Sequence, residues 1–153
     1  GFEYLKALHK NINQYTKSGS APIKAAGLGE TTIGIVFMHD AVAQTAAGFP
    51  IVTVAPCEGT GYEIGSMSII KGARNEDEAK QFYDWALSAE MQSKAKDVKS
   101  FQLPSNKAAE VSPLTPDLST IKLIDYDFKK FGSTDERKRL LKKWDDEVST
   151  LPQ

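Results

Sequence analysis

The stretch YTKSGSAPIKAAG, residues 15–27, changes from small polar residues to an alanine-rich segment at a single proline. Serine is a favoured N-cap, and proline is tolerated in the first helical turn because its missing N–H would be unpaired there. The stretch therefore predicts a short helix here, with Ser18 or Ser20 as its N-cap. The first N–H groups of a helix have no partner within it and lie at the positive end of the helix dipole.

The residues Ser18, Gly19 and Ser20 at this helix start have two interpretations. In the first, a serine side chain only caps the helix and nothing binds there. In the second, the turn holds an anion: Gly19 lets a ligand approach the backbone closely, and the two hydroxyls donate to it. The residues of the turn alone leave both interpretations open.

The composition excludes several classes of protein. The 153 residues carry 19 basic and 20 acidic side chains, a formal net charge of -1, which argues against a main role in binding nucleic acid or an anionic membrane. Cys57 is the single cysteine, so no intrachain disulfide can form. The two histidines, His9 and His39, lie far apart without ligand spacing around them. We therefore expect no metal site, no cofactor and no nucleic-acid partner.

Predicted strands and helices alternate along the chain. The predicted strands are residues 31–37, 49–56 and 66–70. The predicted helices are residues 2–15, the short helix after the Ser-Gly-Ser turn that Gly27 and Gly29 end, and residues 38–48, 75–88, 89–98 and 133–148. Asn75 with Glu78, and Ser133 with Glu136, have the spacing of capping boxes. Residues 101–117 have no period and are rich in proline, serine and asparagine, so we expect a surface connection there. The alternation favours the α/β fold class, with helices flanking a mixed sheet.

Four segments, taken together, resemble a known protein family. They are YLKALHKNINQYTKSGSAP, GETTIGIVFMHDA, GFPIVTVAPCEGTGYEIGSMSIIKGARNEDEAKQFYDWALS and RKRLLKKWDDEV. In this order they resemble the C-terminal half of a class II periplasmic solute-binding protein of an ABC importer. The resemblance is to the branch often described as ferric-iron binding, which also contains binders of hexose phosphates and of 2-aminoethylphosphonate. A full-length member is far longer than this chain, so the resemblance implies a fragment of a two-lobed protein.

The resemblance also implies an architecture and a cellular role. It implies a type II periplasmic-binding-protein lobe, with C-terminal helices that belong to the other lobe. Residues 1–64 would be the portion with the ligand-cleft loops, and residues 65–153 the crossing strand and the returning helices. The implied location is periplasmic, or secreted and lipid-anchored, with any secretion signal removed or upstream, and the implied partner is a membrane permease. An excised lobe exposes strand edges, so we expect the fragment to dimerise or to exchange elements between copies.

The ligand implied by the resemblance depends on His39 and Asp40. In iron-binding members, two adjacent tyrosines follow the strand that resembles IGIVF, and their phenolates bind the metal. This chain has His39 and Asp40 at those positions, and they do not replace two phenolates at a ferric ion. A carboxylate accepts from hydroxyls and an imidazole donates or accepts, so the pair suits a polyol. Glu63 resembles a further carboxylate of hexose-phosphate binders, and residues 18–20 would hold the phosphate.

Each of these site residues also has a plain structural interpretation. Asp40 is a residue type that often caps a helix, and it precedes the helical pattern AVAQ. Glu63 lies in a glycine-rich loop, where a charged side chain is usually only solvated. The favoured interpretation is nevertheless a ligand site formed by Ser18, Gly19, Ser20, His39, Asp40 and Glu63.

Four other functions are alternatives to this interpretation. A 2-aminoethylphosphonate binder would use Asp40 and Glu63 for the ammonium group, and a ferric-iron binder would match the usual description of the branch. An enzyme would need Cys57 as nucleophile and His39 as base, but no third group that orients them is identifiable, so we predict that the protein is not an enzyme. A ligand-sensing domain of a transcription factor has the same fold class.

Overall fold

The structure is a computed structural model that describes residues 1–152, and the chain forms two compact units. The first unit contains Gly1–Lys17 and the chain from Ile124 onward. The second unit contains Ser18–Leu123. The predicted division into residues 1–64 and 65–153 concerns the lobes of a longer protein, and it stays a prediction.

The described residues form seven α-helices and two short 3₁₀ segments. The helices are α1 (Phe2–His9), α2 (Ala21–Leu28), α3 (Met38–Ala46), α4 (Glu76–Ala86), α5 (Ala89–Ser93), α6 (Phe128–Phe131) and α7 (Thr134–Glu147). The 3₁₀ segments are Lys94–Val98 and Leu118–Thr120. The first unit therefore contains α1, α6 and α7, and the second contains the other four helices.

Helix α1 is shorter than its apolar period predicts. The period continues to Tyr15, but the helix ends at His9. Just beyond that end, the side-chain amide of Asn11 donates to the carbonyl oxygen of Ala7 at 3.3 Å. Asparagine side chains compete in this way with the backbone bonds of a continuing helix. The chain leaves the helix there, which places Tyr15 in a loop of the same unit.

Helix α7 begins as its sequence predicts and packs in the first unit. The hydroxyl of Ser133, the N-cap, accepts from the backbone N–H of Glu136 at 3.3 Å, which is half of the predicted capping box. Val148, which follows the helix, is fully buried. The ammonium of Lys6 lies 2.9 Å from the carboxylate of Glu147, so an ion pair joins α1 to α7.

Helices α2 and α3 of the second unit form where the sequence predicts them. Gly29 ends α2 with φ 79°, a conformation that favours glycine. A Cβ placed on Gly34 would lie 2.7 Å from the carbonyl oxygen of Pro22. Only glycine therefore lets the segment before α3 approach the start of α2 this closely. Ile23 of α2 and Ala41 of α3 are buried and form the core of this region.

The predicted mixed sheet is not confirmed by the described residues. Residues 31–37, 49–56 and 66–70 are neither helical nor paired as strands. One parallel bridge joins Thr60 to Leu123, where the N–H of Thr60 donates to the carbonyl oxygen of Lys122 at 2.9 Å. A strand needs a neighbouring strand for its backbone N–H and C=O groups. The β-branched residues of these segments favour an extended backbone, but composition does not supply that neighbour.

The predicted connection over residues 101–117 is anchored to helix α5 rather than loose. The backbone N–H of Asn106 donates to the side-chain carbonyl of Gln92 at 2.8 Å, and its side-chain amide donates to the carbonyl oxygen of Leu87 at 2.8 Å. Phe101, at the start of the connection, is buried. The connection is thereby anchored on both sides of Gln102, at Phe101 and at Asn106.

The capping box predicted at the start of α4 does not form. Asn75 is the N-cap residue of this helix, but its side chain makes no capping hydrogen bond. Three acidic residues in the first turn, Glu76, Asp77 and Glu78, interact favourably with the positive end of the helix dipole instead.

Candidate functional site

The Ser-Gly-Ser turn lies at the start of α2, as predicted, but it is not a plain side-chain cap. Ser20 occupies the N-cap position, and its side chain makes no capping hydrogen bond. The carbonyl oxygen of Ser18 accepts from the N–H of Ala21, and that of Ser20 accepts from the N–H of Lys24, both at 3.4 Å. The backbone carbonyls of the turn thus accept hydrogen bonds from the start of α2, whereas the Ser20 hydroxyl makes no hydrogen bond that caps the helix.

Phe37 brings the Ser-Gly-Ser turn and His39 to one aromatic ring. A Cβ placed on Gly19 would lie 3.9 Å from two ring carbons of Phe37. The Phe37 ring also stacks on the imidazole of His39, with ring centroids 5.5 Å apart and an angle of 15° between the ring planes. The Phe37 ring therefore lies beside Gly19 of the predicted anion-binding turn and stacks on His39, the predicted polyol-binding residue.

His39 and Asp40 lie in the first turn of α3, half-buried. The N-cap residue of α3 is Phe37, so Asp40 is the third helical residue and does not cap the helix. Its carboxylate near the helix N-terminus is favoured by the helix dipole. The Asp40 carboxylate lies 3.8 Å from Nε2 of His39, which is beyond hydrogen-bonding distance. The two side chains are neighbours, and each keeps polar atoms that the other does not use.

Gln102 is a neighbour of His39 that the sequence did not indicate. Its side-chain nitrogen lies 3.1 Å from Nε2 of His39. The two residues are 63 positions apart in the chain. No periodicity or motif spans that distance, and Gln102 lies in the segment 101–117, for which the sequence predicts only a surface connection. The contact arises because Phe101 and Asn106 anchor that connection.

Glu63 and Cys57 lie in the glycine-rich loop, and both are exposed. No hydrogen bond or ion pair within the described residues joins Glu63 to His39 or Asp40, so its place in the site stays a prediction. The Cys57 thiol donates to the carboxylate of Glu58 at 3.4 Å. A backbone hydrogen bond, and after it this thiol, lower the pKa of the Glu58 carboxyl. No contact within residues 1–152 joins Cys57 to His39 as an enzymatic pair would need.

His9, in the first unit, is a buried histidine whose two ring nitrogens are both paired. Nδ1 lies 2.9 Å from the hydroxyl of Tyr15, and Nε2 lies 2.9 Å from the carbonyl oxygen of Leu151. A carbonyl only accepts, so Nε2 donates to it and, in the neutral ring, Nδ1 accepts from Tyr15. Tyr15 also stacks on His9 and makes an edge-to-face contact with Trp144. This cluster joins α1, α7 and the end of the chain.

Two further features are absent among residues 1–152. These residues contain no group of three or more His, Cys, Asp or Glu side chains that could hold a metal ion. None of the helices formed by these residues combines the length and the hydropathy that crossing a membrane requires.

Residues 1–121 match the family described as bacterial extracellular solute-binding proteins. The chain belongs to this family. An uncharacterised family relative from Haemophilus influenzae is 52% identical over 148 residues, which is 96% of this chain and 43% of that protein.

Two solved structures resemble the chain closely. The periplasmic binding protein AfuA from Actinobacillus pleuropneumoniae, solved with exogenous fructose-6-phosphate bound, is 55% identical, with a TM-score of 0.92 over 98% of this chain and 47% of that one. The periplasmic binding protein P5PA is 41% identical, with a TM-score of 0.86 over 97% of this chain and 47% of that one. The resemblance to periplasmic solute-binding proteins is confirmed. The chain spans about half the length of these relatives.

Proposed function

We propose that the protein is the solute-binding component of an ABC importer and that it captures a phosphorylated small organic molecule, a hexose phosphate above all. The observation that carries the proposal is the Phe37 ring, which stacks on His39 and lies where a Cβ on Gly19 would touch it at 3.9 Å. An anion-binding turn and two polyol-binding side chains are thereby available to one ligand. Family membership supports the class of function, and the fructose-6-phosphate bound to AfuA supports the class of ligand.

The phosphate of the ligand would bind at Ser18, Gly19 and Ser20. A helix N-terminus attracts anions, and α2 begins directly after this turn. The Ser20 hydroxyl is not used to cap the helix and is half-buried, so it can donate to a phosphate oxygen. A buried phosphate is tolerated only when N–H and O–H groups surround it, which this turn supplies in part.

The sugar hydroxyls would bind at His39 and Asp40, with Glu63 as a third partner. The Asp40 carboxylate is not engaged in a helix cap, so it can accept from ligand hydroxyls. His39 is held against Phe37 and keeps one ring nitrogen without a hydrogen-bond partner among the described residues. Glu63 would have to approach this pair when the ligand binds.

The cellular role follows from the family. We infer a periplasmic or secreted, lipid-anchored protein with two lobes that close on the ligand by a hinge and release it at the importer's membrane permease. The other lobe would complete the phosphate-binding shell. Dimerisation or exchange of elements by this chain alone stays a prediction.

Titration calorimetry of the full-length protein tests the proposal. The ligands are glucose 6-phosphate, fructose 6-phosphate, free glucose, 2-aminoethylphosphonate and ferric citrate. We expect tight binding of a sugar phosphate and none of free glucose. A preference for 2-aminoethylphosphonate would reassign Asp40 and Glu63 to an ammonium group. Tight ferric binding would show that the interpretation of His39 and Asp40 is wrong.

A substitution of Asp40 tests the polyol site. Asp40→Ala in the full-length protein should weaken sugar-phosphate binding by about 1 to 3 kcal/mol, because the ligand hydroxyls lose a buried charged acceptor. Asp84→Ala is the matched control, since Asp84 is exposed on α4. An unchanged dissociation constant for Asp40→Ala would remove Asp40 from the site.

A further inference from the structure

The contact between Gln102 and His39 constrains which nitrogen of the imidazole carries the proton. The side-chain nitrogen of Gln102 lies 3.1 Å from Nε2 of His39. An amide nitrogen only donates hydrogen bonds, so Nε2 of the neutral ring accepts here. The proton of neutral His39 then lies on Nδ1. Nδ1 has no hydrogen-bond partner among residues 1–152.

Two neighbours together fix the orientation of the His39 ring. Phe37 stacks on one side of it and Gln102 donates to Nε2. The Asp40 carboxylate lies 3.8 Å from the same nitrogen, too far to compete with Gln102 as a hydrogen-bond partner. The backbone next to Gln102 is anchored by Phe101, which is 5% exposed. A flip of the imidazole would keep the stacking contact but break the hydrogen bond from Gln102.

We propose that Gln102 is a positioning residue of the ligand site, and that its amide holds His39 in the Nδ1–H form, so that His39 donates to a ligand oxygen beside the accepting Asp40 carboxylate. This inference rests on the proposed function. It adds a residue to the site and gives His39 and Asp40 complementary roles.

These complementary roles select a hydroxyl over an ammonium group. A hydroxyl has lone pairs that accept from His39 and a proton that it donates to Asp40, whereas an ammonium only donates. An ammonium beside Asp40 would face the N–H of His39 without any lone pair to offer it. The site is therefore expected to prefer sugar phosphates to 2-aminoethylphosphonate, and Gln102 contributes to that preference.

The experiment combines nitrogen-15 NMR of the histidine rings with calorimetry on the full-length protein. Gln102→Leu removes the amide. Gln102→Glu places a carboxylate beside Nε2, and a carboxylate accepts hydrogen bonds but does not donate them. Gln81→Leu, an exposed glutamine of α4, is the matched control. Spectra are recorded at a pH about two units above the ordinary histidine pKa of ~6.5, so that the rings are neutral. The signals that disappear in His39→Gln are those of His39.

We expect the Nδ1–H form of His39 in the wild type and in Gln81→Leu. In Gln102→Glu the proton should move to Nε2, and binding of glucose 6-phosphate should weaken about tenfold in both Gln102 variants, with melting temperatures unchanged. A merely structural role of Gln102 would lower the melting temperature without moving the ring proton.

Three results would overturn the inference, and they show whether the role of Gln102 or the proposed function is wrong. An Nε2–H ring in a wild type that binds glucose 6-phosphate, or unchanged affinity in both Gln102 variants, overturns the role of Gln102 and leaves the proposed function intact. A wild type that binds no sugar phosphate overturns the proposed function and the role of Gln102 in it, whatever the NMR spectra give.

Discussion

The two histidines of the chain differ in burial, in the number of ring nitrogens that are hydrogen-bonded, and in the position of the ring proton. His9 is 2% exposed, and both of its ring nitrogens are paired with groups of its own unit. The side chain of His39 is 28% exposed, and only Nε2 is paired. The partners also require opposite proton positions, Nε2 for His9 and Nδ1 for His39. A histidine whose two nitrogens are paired inside the protein stabilises the fold, and one with a nitrogen left over is available to a ligand.

Substitution of each histidine by alanine is the strongest way to break this comparison. His9→Ala leaves a cavity and leaves the Tyr15 hydroxyl and the Leu151 carbonyl unpaired, so we expect it to lower the free energy of unfolding by about 2 to 4 kcal/mol. His39→Ala should change it by less than about 1 kcal/mol but weaken sugar-phosphate binding. Urea unfolding and calorimetry measure the two quantities.

The neighbouring surface residue supplies the control for His9. Lys10 follows His9 and is exposed, so Lys10→Ala should leave stability within about 0.5 kcal/mol. Equal losses of stability for His9→Ala and His39→Ala would contradict the distinction between a structural and a ligand-binding histidine.

Removal of one hydroxyl sharpens the account of His9. Tyr15→Phe keeps the stacking on His9 and the edge-to-face contact with Trp144, but it removes the donor to Nδ1. We expect a loss of about 1 kcal/mol in the free energy of unfolding, the usual net value of one hydrogen bond. Tyr4→Phe is the control, because Tyr4 is an exposed tyrosine of α1. If Tyr15→Phe proves neutral, stacking and burial alone hold His9.

The smallest expected effect concerns the ion pair that joins α1 to α7 in the unit of His9. The hydrogen bond from Lys6 holds the pKa of the Glu147 carboxyl below its ordinary value of 4.5. A carboxyl with a lowered pKa stabilises the fold above the unfolded pKa, and that contribution is lost as the pH falls through the folded pKa. Glu147→Gln should therefore lower the melting temperature slightly at neutral pH.

The pH dependence tests that assignment. The difference in melting temperature between the wild type and Glu147→Gln should shrink as the pH falls below 4.5. Asp145→Asn is the control, since Asp145 is exposed on the same helix. A difference that stays constant from neutral to acidic pH would mean that the carboxylate charge is not its cause.

The sequence predicted the helices better than it predicted the strands. Helix starts and ends depend on nearby residues: Ser133 caps α7 as predicted, and of the two glycines predicted to end α2, Gly29 does so while Gly27 lies inside the helix. The mixed sheet is not confirmed, because strand pairing depends on residues far away in the chain. The end of α1 was missed for a local reason, since the Asn11 side chain competes with the helix and the apolar period does not include it.

The sequence by itself determined the family, the position of the Ser-Gly-Ser turn before α2, and the place of His39 and Asp40 at the start of α3. These depend on short segments whose residue types and order are enough. Only the tertiary structure decided that the Phe37 ring lies beside Gly19, that Gln102 donates to His39, and that Leu151 accepts from His9. These pairs are separated by 18, 63 and 142 positions, and no local pattern specifies them, because folding alone brings such distant residues together.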